Sequence, residues 1–250
     1  MTEARDPEAD LTPAPRAQSG PEPDFDVIAR PYCMLEHLTF GSALHRARTH
    51  FFPRLTTQRN ALILGDGDGR FTAALLARNP QLRVDAVDLS GSMLRLLTQR
   101  VHAAHPTASL RLHTHHANAL AYTPAPNIRY DLVVTHFFLD CLTDTELDNL
   151  CRRIRPHLAP AALWLVSDFR IPGGALHLPA RALIRSLYLG FRLLTGLRTT
   201  RLPNHATALG SIGLLRTEQR LSLAGLLTSE LWQLPDAALH RTPTGVDFGP

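Results

Sequence analysis

A chain of 250 residues with 44% hydrophobic and 19% charged residues has the size and composition of one substantial globular domain. The formal charge is +4 and all 26 basic residues are arginine, so Schiff-base chemistry and a Walker-type lysine loop are excluded. No apolar run approaches a membrane span, and the first residues lack the pattern of a secretory signal; a cytoplasmic protein is expected. Residues 1–24, with five prolines, six acids and two arginines, are expected to form a disordered tail. From Phe25 to about Leu55 the pattern is helical. Ile28, Tyr32, Leu35, Leu38 and Phe40 are spaced to pack onto the main body, and a second helix is expected over Ser42 to Phe52.

Strands and helices then alternate. The strands are expected near Ala61–Gly65, Arg83–Asp88, Ser109–His113, Asp131–His136 and Leu163–Asp168. The helices are expected near Arg70–Arg78, Gly91–His102 and Asp144–His157. Runs such as Leu132-Val-Val-Thr and Leu163-Trp-Leu-Val indicate strands buried on both faces, as in a parallel sheet. Two later strands around Ala224-Gly225 read as an antiparallel hairpin. Between the fifth strand and this hairpin, residues 175–213 form an expected helical insertion or lid, with helices at Pro179–Leu197 and around His205–Ile212. One domain over 25–235 follows, with a tail at 236–250. Residues 170–220 carry eight arginines and only Glu218 as an acid, which concentrates positive charge here.

The most informative stretch is Ala61-Leu-Ile-Leu-Gly-Asp-Gly-Asp-Gly-Arg70, followed by Val84-Asp-Ala-Val-Asp88. A strand running into three glycines, with a carboxylate ending the next strand, suits a nucleoside-bearing cofactor. The glycines fall at 65, 67 and 69. A dinucleotide fingerprint would need glycine at 70, where the chain has Arg70. This spacing, the Asp88 acid, the strand-four motif Tyr130-Asp-Leu-Val-Val-Thr-His and the final hairpin together resemble the class I S-adenosylmethionine-dependent methyltransferases, over about residues 25–235. The resemblance implies a Rossmann-like seven-stranded fold, mostly parallel, with a C-terminal antiparallel hairpin and a helical cap. The N-terminal helix and the insertion resemble the quinone-biosynthesis branch of that family.

The resemblance also implies a cofactor site. Gly65, Gly67 and Gly69 would let the backbone approach S-adenosylmethionine closely, and Asp88 would accept from both ribose hydroxyls. Leu89 and Met93 would pack on the adenine, and Asn118, with Ala119 beside it, would meet the adenine edge. Thr135 and His136 would border the methionine end, and Tyr32 would close over the cofactor. One position departs from the family pattern. The acid usual two residues before the first glycine is Ile63, leaving the methionine amino group to a backbone carbonyl or to Asp66.

At the reacting end, His136, Asp140 and Asp168 follow strands four and five, where ligands bind in open α/β sheets. They are the candidate catalytic residues; Phe137 and Phe138 are a candidate apolar wall. For Asp140 the structural alternative is a helix cap, although Thr143 and Asp144 suit that role better. His113, His115 and His116 lack the Cys or carboxylate that would complete a metal site, so no metal is expected. On the helix at 179–197, Arg181, Arg185 and Arg192 share one edge, while Leu183, Ile184, Leu187, Phe191 and Leu194 share another side. That pattern fits a lid helix, or contact with an anionic substrate or lipid surface. Methyl transfer to a small lipophilic or aromatic acceptor is the favoured reading, with no nucleic-acid partner. A non-catalytic binding or scaffold protein and a nucleotide-dependent oxidoreductase are the alternatives.

Overall fold

Two apolar strands, β1 (Asn60–Leu64) and β4 (Tyr130–His136), lie side by side at the centre of a seven-stranded sheet. The computed structural model describes residues 42–195 and 202–235. Tyr32, Cys33 and both expected tails lie outside the described residues, as do the side chains of 187–195. The remaining strands are β2 (Arg83–Asp88), β3 (Leu112–His116), β5 (Leu158–Phe169), β6 (Leu215–Ser222) and β7 (Leu227–Gln233). Their order is β3-β2-β1-β4-β5-β7-β6, with β1 to β5 parallel and β7 antiparallel to both neighbours. Strand order reverses between β1 and β4, so their carboxyl ends frame the crevice where open α/β sheets bind ligands.

Side-chain alternation along the strands creates two cores. Leu62, Leu64, Val133, Trp164 and Val166 point to one face. Helices α4 (Asp144–Ile154) and α6 (His205–Ser211) cover it through Leu147, Leu150, Cys151 and Leu209. Ala61, Ile63, Leu132, Val134 and Leu165 point the other way. There α2 (Arg70–Arg78) and α3 (Gly91–Ala104) supply Phe71, Leu75, Leu76, Leu97 and Val101. The short α1 (Ala43–Thr49) lies on that same side, where the hydroxyls of Ser167 and Ser229 both donate to its Ala47 carbonyl, at 3.2 and 2.8 Å. Those bonds satisfy a carbonyl left open by the end of the helix.

The third strand begins later than its expected start at Ser109. Residues Pro106–Arg111 form a 3-10 turn instead, and the Arg111 guanidinium donates to the carbonyls of Leu76, Asn79 and Leu82. This clamp holds the segment under the end of α2, and the edge strand starts only at Leu112. Helix α4 stops at Ile154 rather than His157, because Pro156 lacks the amide that would extend it. β5 reaches back to Leu158 through a register shift, with Ala161 at φ +56°. Thr143 caps α4 in a reciprocal box with Glu146, which leaves Asp140 out of that role.

The two helices expected as one insertion behave differently. In α5 (His177–Thr195), Ala180 and Ile184 are buried, and Ile184 packs on Phe169, Ile171 and Leu202, while Leu178, Arg181 and Arg185 are exposed. Helix α6 is instead a full member of the main core through Ala208 and Leu209. No helix among the described residues is long and apolar enough to cross a membrane.

Candidate active site

The loop between β1 and α2 holds Gly65, Gly67 and Gly69 at φ +67°, +64° and +76°. Each has its own steric reason. A Cβ at Gly69 would sit 2.5 Å from Leu97 Cγ and 2.6 Å from Leu97 Cα, so this glycine lets α2 approach α3. A Cβ at Gly65 would meet the Phe138 ring at 2.7 Å. At Gly67 a Cβ would meet nothing within 4 Å, so here the loop backbone borders open space.

Asp66 turns inward and accepts from the Thr72 amide at 3.0 Å and its hydroxyl at 2.6 Å, capping α2. Burial raises its carboxyl to about 6, against the lowering effect of Thr72 and of Arg48. Ile63 is fully packed in the core. Arg70 pairs with Asp68 at 2.9 Å, and Arg100 pairs with the same carboxylate.

Asp88 ends β2 and accepts from the Ser90 amide at 2.9 Å; Ser90 in turn caps α3 by accepting from Met93 N. Met93 is buried, and the Leu89 carbonyl lies 2.9 Å from His116 Nε2. Past β3, the Asn118 side-chain oxygen accepts from Leu120 N within its own turn, which leaves its amide nitrogen as the available group. Ala119 is packed into the core beside Leu62 and Val87.

At the end of β4 the side chains diverge. The Thr135 hydroxyl is buried and accepts from the Trp164 indole at 3.1 Å. His136 points to the opposite face, 2% exposed, with its ring edge-on to Phe71 at 4.4 Å. Neither ring nitrogen has a hydrogen-bond partner. Burial, helped by Arg48, holds its pKa well below the usual histidine value, so the ring is neutral. Phe137 follows at φ +52°, an unfavourable conformation for an aromatic residue, with its amide tied to Ser167 O at 2.7 Å and Arg48 over its ring at 5.1 Å.

Asp140 and Asp168 come together on the other face. Asp140 lies in a 3-10 turn and accepts from the Cys141 thiol; Asp168 ends β5 and accepts from Phe169 N at 2.8 Å. Burial pushes Asp140 up to about 6. Burial, and the nearby Asp140 charge, push Asp168 well above the carboxylate range. Two close carboxyls in a poorly solvated site retain a proton between them.

Beside Asp168 opens a cavity of about 360 Å³, bordered by Asn204, His205, Gln219, Thr228 and Glu230. Glu230 is 2% exposed and saturated with donors: His205 Nε2 at 3.2 Å, Trp232 Nε1 at 2.9 Å, Gln219 Nε2 at 2.9 Å and Thr228 Oγ1 at 2.9 Å. Arg216 stands 3.4 Å away. Burial alone would raise this carboxyl, but the His205 and Thr228 bonds outweigh it and bring it to about 2.

Sequence reasoning missed Glu230, His205 and Arg48. Their signals were slight: a single acid inside the apolar run Leu226–Trp232, and a histidine just after Pro203-Asn204. The β3 histidines take structural partners, His115 on Asp85 at 3.2 Å and His116 on Leu89 O. Among the described residues no group of three or more His, Cys, Asp or Glu side chains is placed to hold a metal.

Residues 62–163 match the family model of a methyltransferase domain. Over that span the chain is similar to methyltransferase domains. Its fold is shared with the N-methyltransferase NodS from Bradyrhizobium japonicum WM9, at 18% identity and a TM-score of 0.57, covering 77% of this chain and 88% of NodS. An O-methyltransferase family protein from Burkholderia thailandensis aligns at 17% identity and TM-score 0.60, covering 86% of this chain and 65% of its own. The mitomycin 7-O-methyltransferase MmcR aligns at 18% and 0.60, covering 85% and 63%. The chain therefore spans less than two thirds of the length of these two O-methyltransferases. No curated protein matches the chain by sequence.

Proposed function

We propose that this protein transfers a methyl group from S-adenosylmethionine to a small lipophilic or aromatic acceptor held in the cavity beside Asp168. The observation that carries the reading is the pairing of an open glycine loop at Gly67 with the Asp88 carboxylate at the sheet's switch point. The residues suit the cofactor. Gly67 leaves room for its backbone-hugging atoms, Asp88 is the ribose acceptor, and Met93, Leu89 and Ala119 offer an apolar setting for the adenine. The Asn118 amide nitrogen supplies a donor to the ring edge. The amides opening α2 favour a carboxylate. Asp66, whose carboxyl is held near 6 by burial, gains from an ammonium beside it and takes the place of the acid absent at Ile63.

When bound, the cofactor supplies an electrophilic methyl on a sulfonium, which departs by in-line displacement. The protein's own contribution is alignment and exclusion of water. Neutral His136, packed against Phe71, keeps the methionine end dry without adding charge. Asp140 and Asp168, retaining a proton between them, both donate to and accept from an acceptor's oxygen or nitrogen. Helix α5 packs through Ile184 on Phe169 and Ile171, which line this cavity, and its exposed Leu178, Arg181 and Arg185 support a lipophilic acceptor delivered from an anionic surface. An oxidoreductase reading lacks support, since Arg70 starts α2 in an ion pair where a dinucleotide site needs glycine.

Calorimetry with S-adenosylmethionine and S-adenosylhomocysteine tests the reading, with NADH as the control. Saturable binding of the first two and none of NADH is expected. The reverse result removes it.

A further inference from the structure

Asp140 and Asp168 can hold an acceptor, and the transfer also needs a destination for the proton of an acceptor that binds un-ionised. The cavity beside Asp168 has a second group suited to it in its wall. His205 opens α6 there, and its Nε2 lies 3.2 Å from Glu230. Glu230 is itself fixed by Trp232, Gln219 and Thr228. A carboxylate locked by three other donors cannot swing away, so it dictates the tautomer of the imidazole: Nε2 carries the hydrogen and Nδ1 keeps the lone pair. No hydrogen bond reaches Nδ1 among the described residues.

We propose that His205 is the general base of the methyl transfer and that Glu230 is its positioning residue, acting on a phenol or other hydroxyl that still carries its proton when it binds. The inference rests on the methyltransferase reading above. The acceptor oxygen's lone pair forms the bond to the methyl carbon. The methyl–sulfur bond breaks with its electron pair remaining on sulfur, and the hydroxyl proton passes to His205 Nδ1. The imidazolium so formed lies against the Glu230 carboxylate.

The titratable and charged groups facing His205 come from several elements. Glu230 approaches from β7, Asp140 from the turn after β4 and Asp168 from β5; Arg216 on β6 stands 3.4 Å from Glu230 Oε1, whereas His205 meets Oε2. The pair is assembled from segments 25 residues apart and is held in a cavity, not on a solvated face. A surface ion pair would need none of the three additional donors on Glu230.

The test uses the full chain saturated with S-adenosylhomocysteine and 4-nitrocatechol, a phenol whose phenolate absorbs visible light. In the wild type, the bound probe should ionise about one pH unit or more below its value in water. His205→Gln should return it to the solution value with S-adenosylhomocysteine affinity unchanged, and Glu230→Gln should give an intermediate shift. Nitrogen NMR of the wild type, independent of any variant's folding, should show His205 as the Nε2–H tautomer, becoming imidazolium as the probe binds. Equal ionisation in wild type and His205→Gln, or a ring that stays neutral, overturns the role of His205. A complex that binds S-adenosylhomocysteine but not the probe overturns the cavity as a phenol site. Failure to bind S-adenosylhomocysteine removes the methyltransferase reading itself, and this inference with it.

Discussion

Asp66 and Glu230 are buried to a similar depth on opposite faces of one sheet, yet their carboxyls are driven in opposite directions. Asp66 has a single residue, Thr72, donating to it, and burial prevails. Glu230 has His205, Trp232, Gln219 and Thr228, and donors prevail. Burial therefore does not set the charge of a site; the number and charge of the donors around it do. On the glycine-loop side Asp66 accepts from no charged donor among the described residues, which suits a ligand that brings an ammonium. The hairpin side is already complete, which suits a fixed base.

The largest effect should come from breaking the saturated side. Glu230→Ala strands the Trp232 indole, the His205 ring and the Gln219 amide, and should cost about 3–5 kcal/mol in urea unfolding, as for a broken buried ion pair. A loss below about 1 kcal/mol would mean that these donors find water instead.

Acid titration sharpens the contrast. Glu230 falls from 4.5 to about 2 on folding, so its stabilisation is complete above pH 4.5 and is lost between 4.5 and 2, about 3 kcal/mol in all. Asp66 rises from 3.8 to about 6, so its contribution is neutral below 3.8 and turns unfavourable as pH climbs to 6, by a similar amount. Stability against pH for Glu230→Gln and Asp66→Asn, each subtracted from wild type, should slope in opposite senses, the first in the more acidic window. Wild type gains over Glu230→Gln as pH rises from 2 to 4.5, whereas it loses to Asp66→Asn from 3.8 to 6; differences independent of pH would contradict both assignments.

The smallest stability effects separate two glycines of the same loop. Gly69→Ala drives a Cβ into the Leu97 backbone and should cost about 2–3 kcal/mol. Gly67→Ala meets no neighbour and should cost about 1 kcal/mol for its positive φ, while lowering S-adenosylhomocysteine affinity at least about tenfold. Equal stability losses, or unimpaired binding in Gly67→Ala, would remove the distinction.

Much of this fold was legible because its central strands are apolar on both faces and end in glycine or aspartate. β2 and α2 run from Arg83 to Asp88 and from Arg70 to Arg78, the same limits that the pattern indicated. The edge strand was not legible. Leu112-His-Thr-His-His has little apolar signal, and its start is set by the Arg111 clamp on carbonyls some 30 residues away. Asp140 and Asp168 could be placed at strand ends, but their mutual proximity depends on β4 and β5 pairing in register. His205 and Glu230 meet only because α6 packs on the core beside the antiparallel β7, which no local pattern encodes.

The most direct test of the central claim is the affinity of S-adenosylhomocysteine for wild type and Asp88→Ala, measured by calorimetry on folded protein. Loss of the charge-assisted bonds to the ribose should weaken binding by about 2–4 kcal/mol, or roughly 30- to 1000-fold. An unchanged affinity in Asp88→Ala would contradict the placement of the cofactor at this end of the sheet.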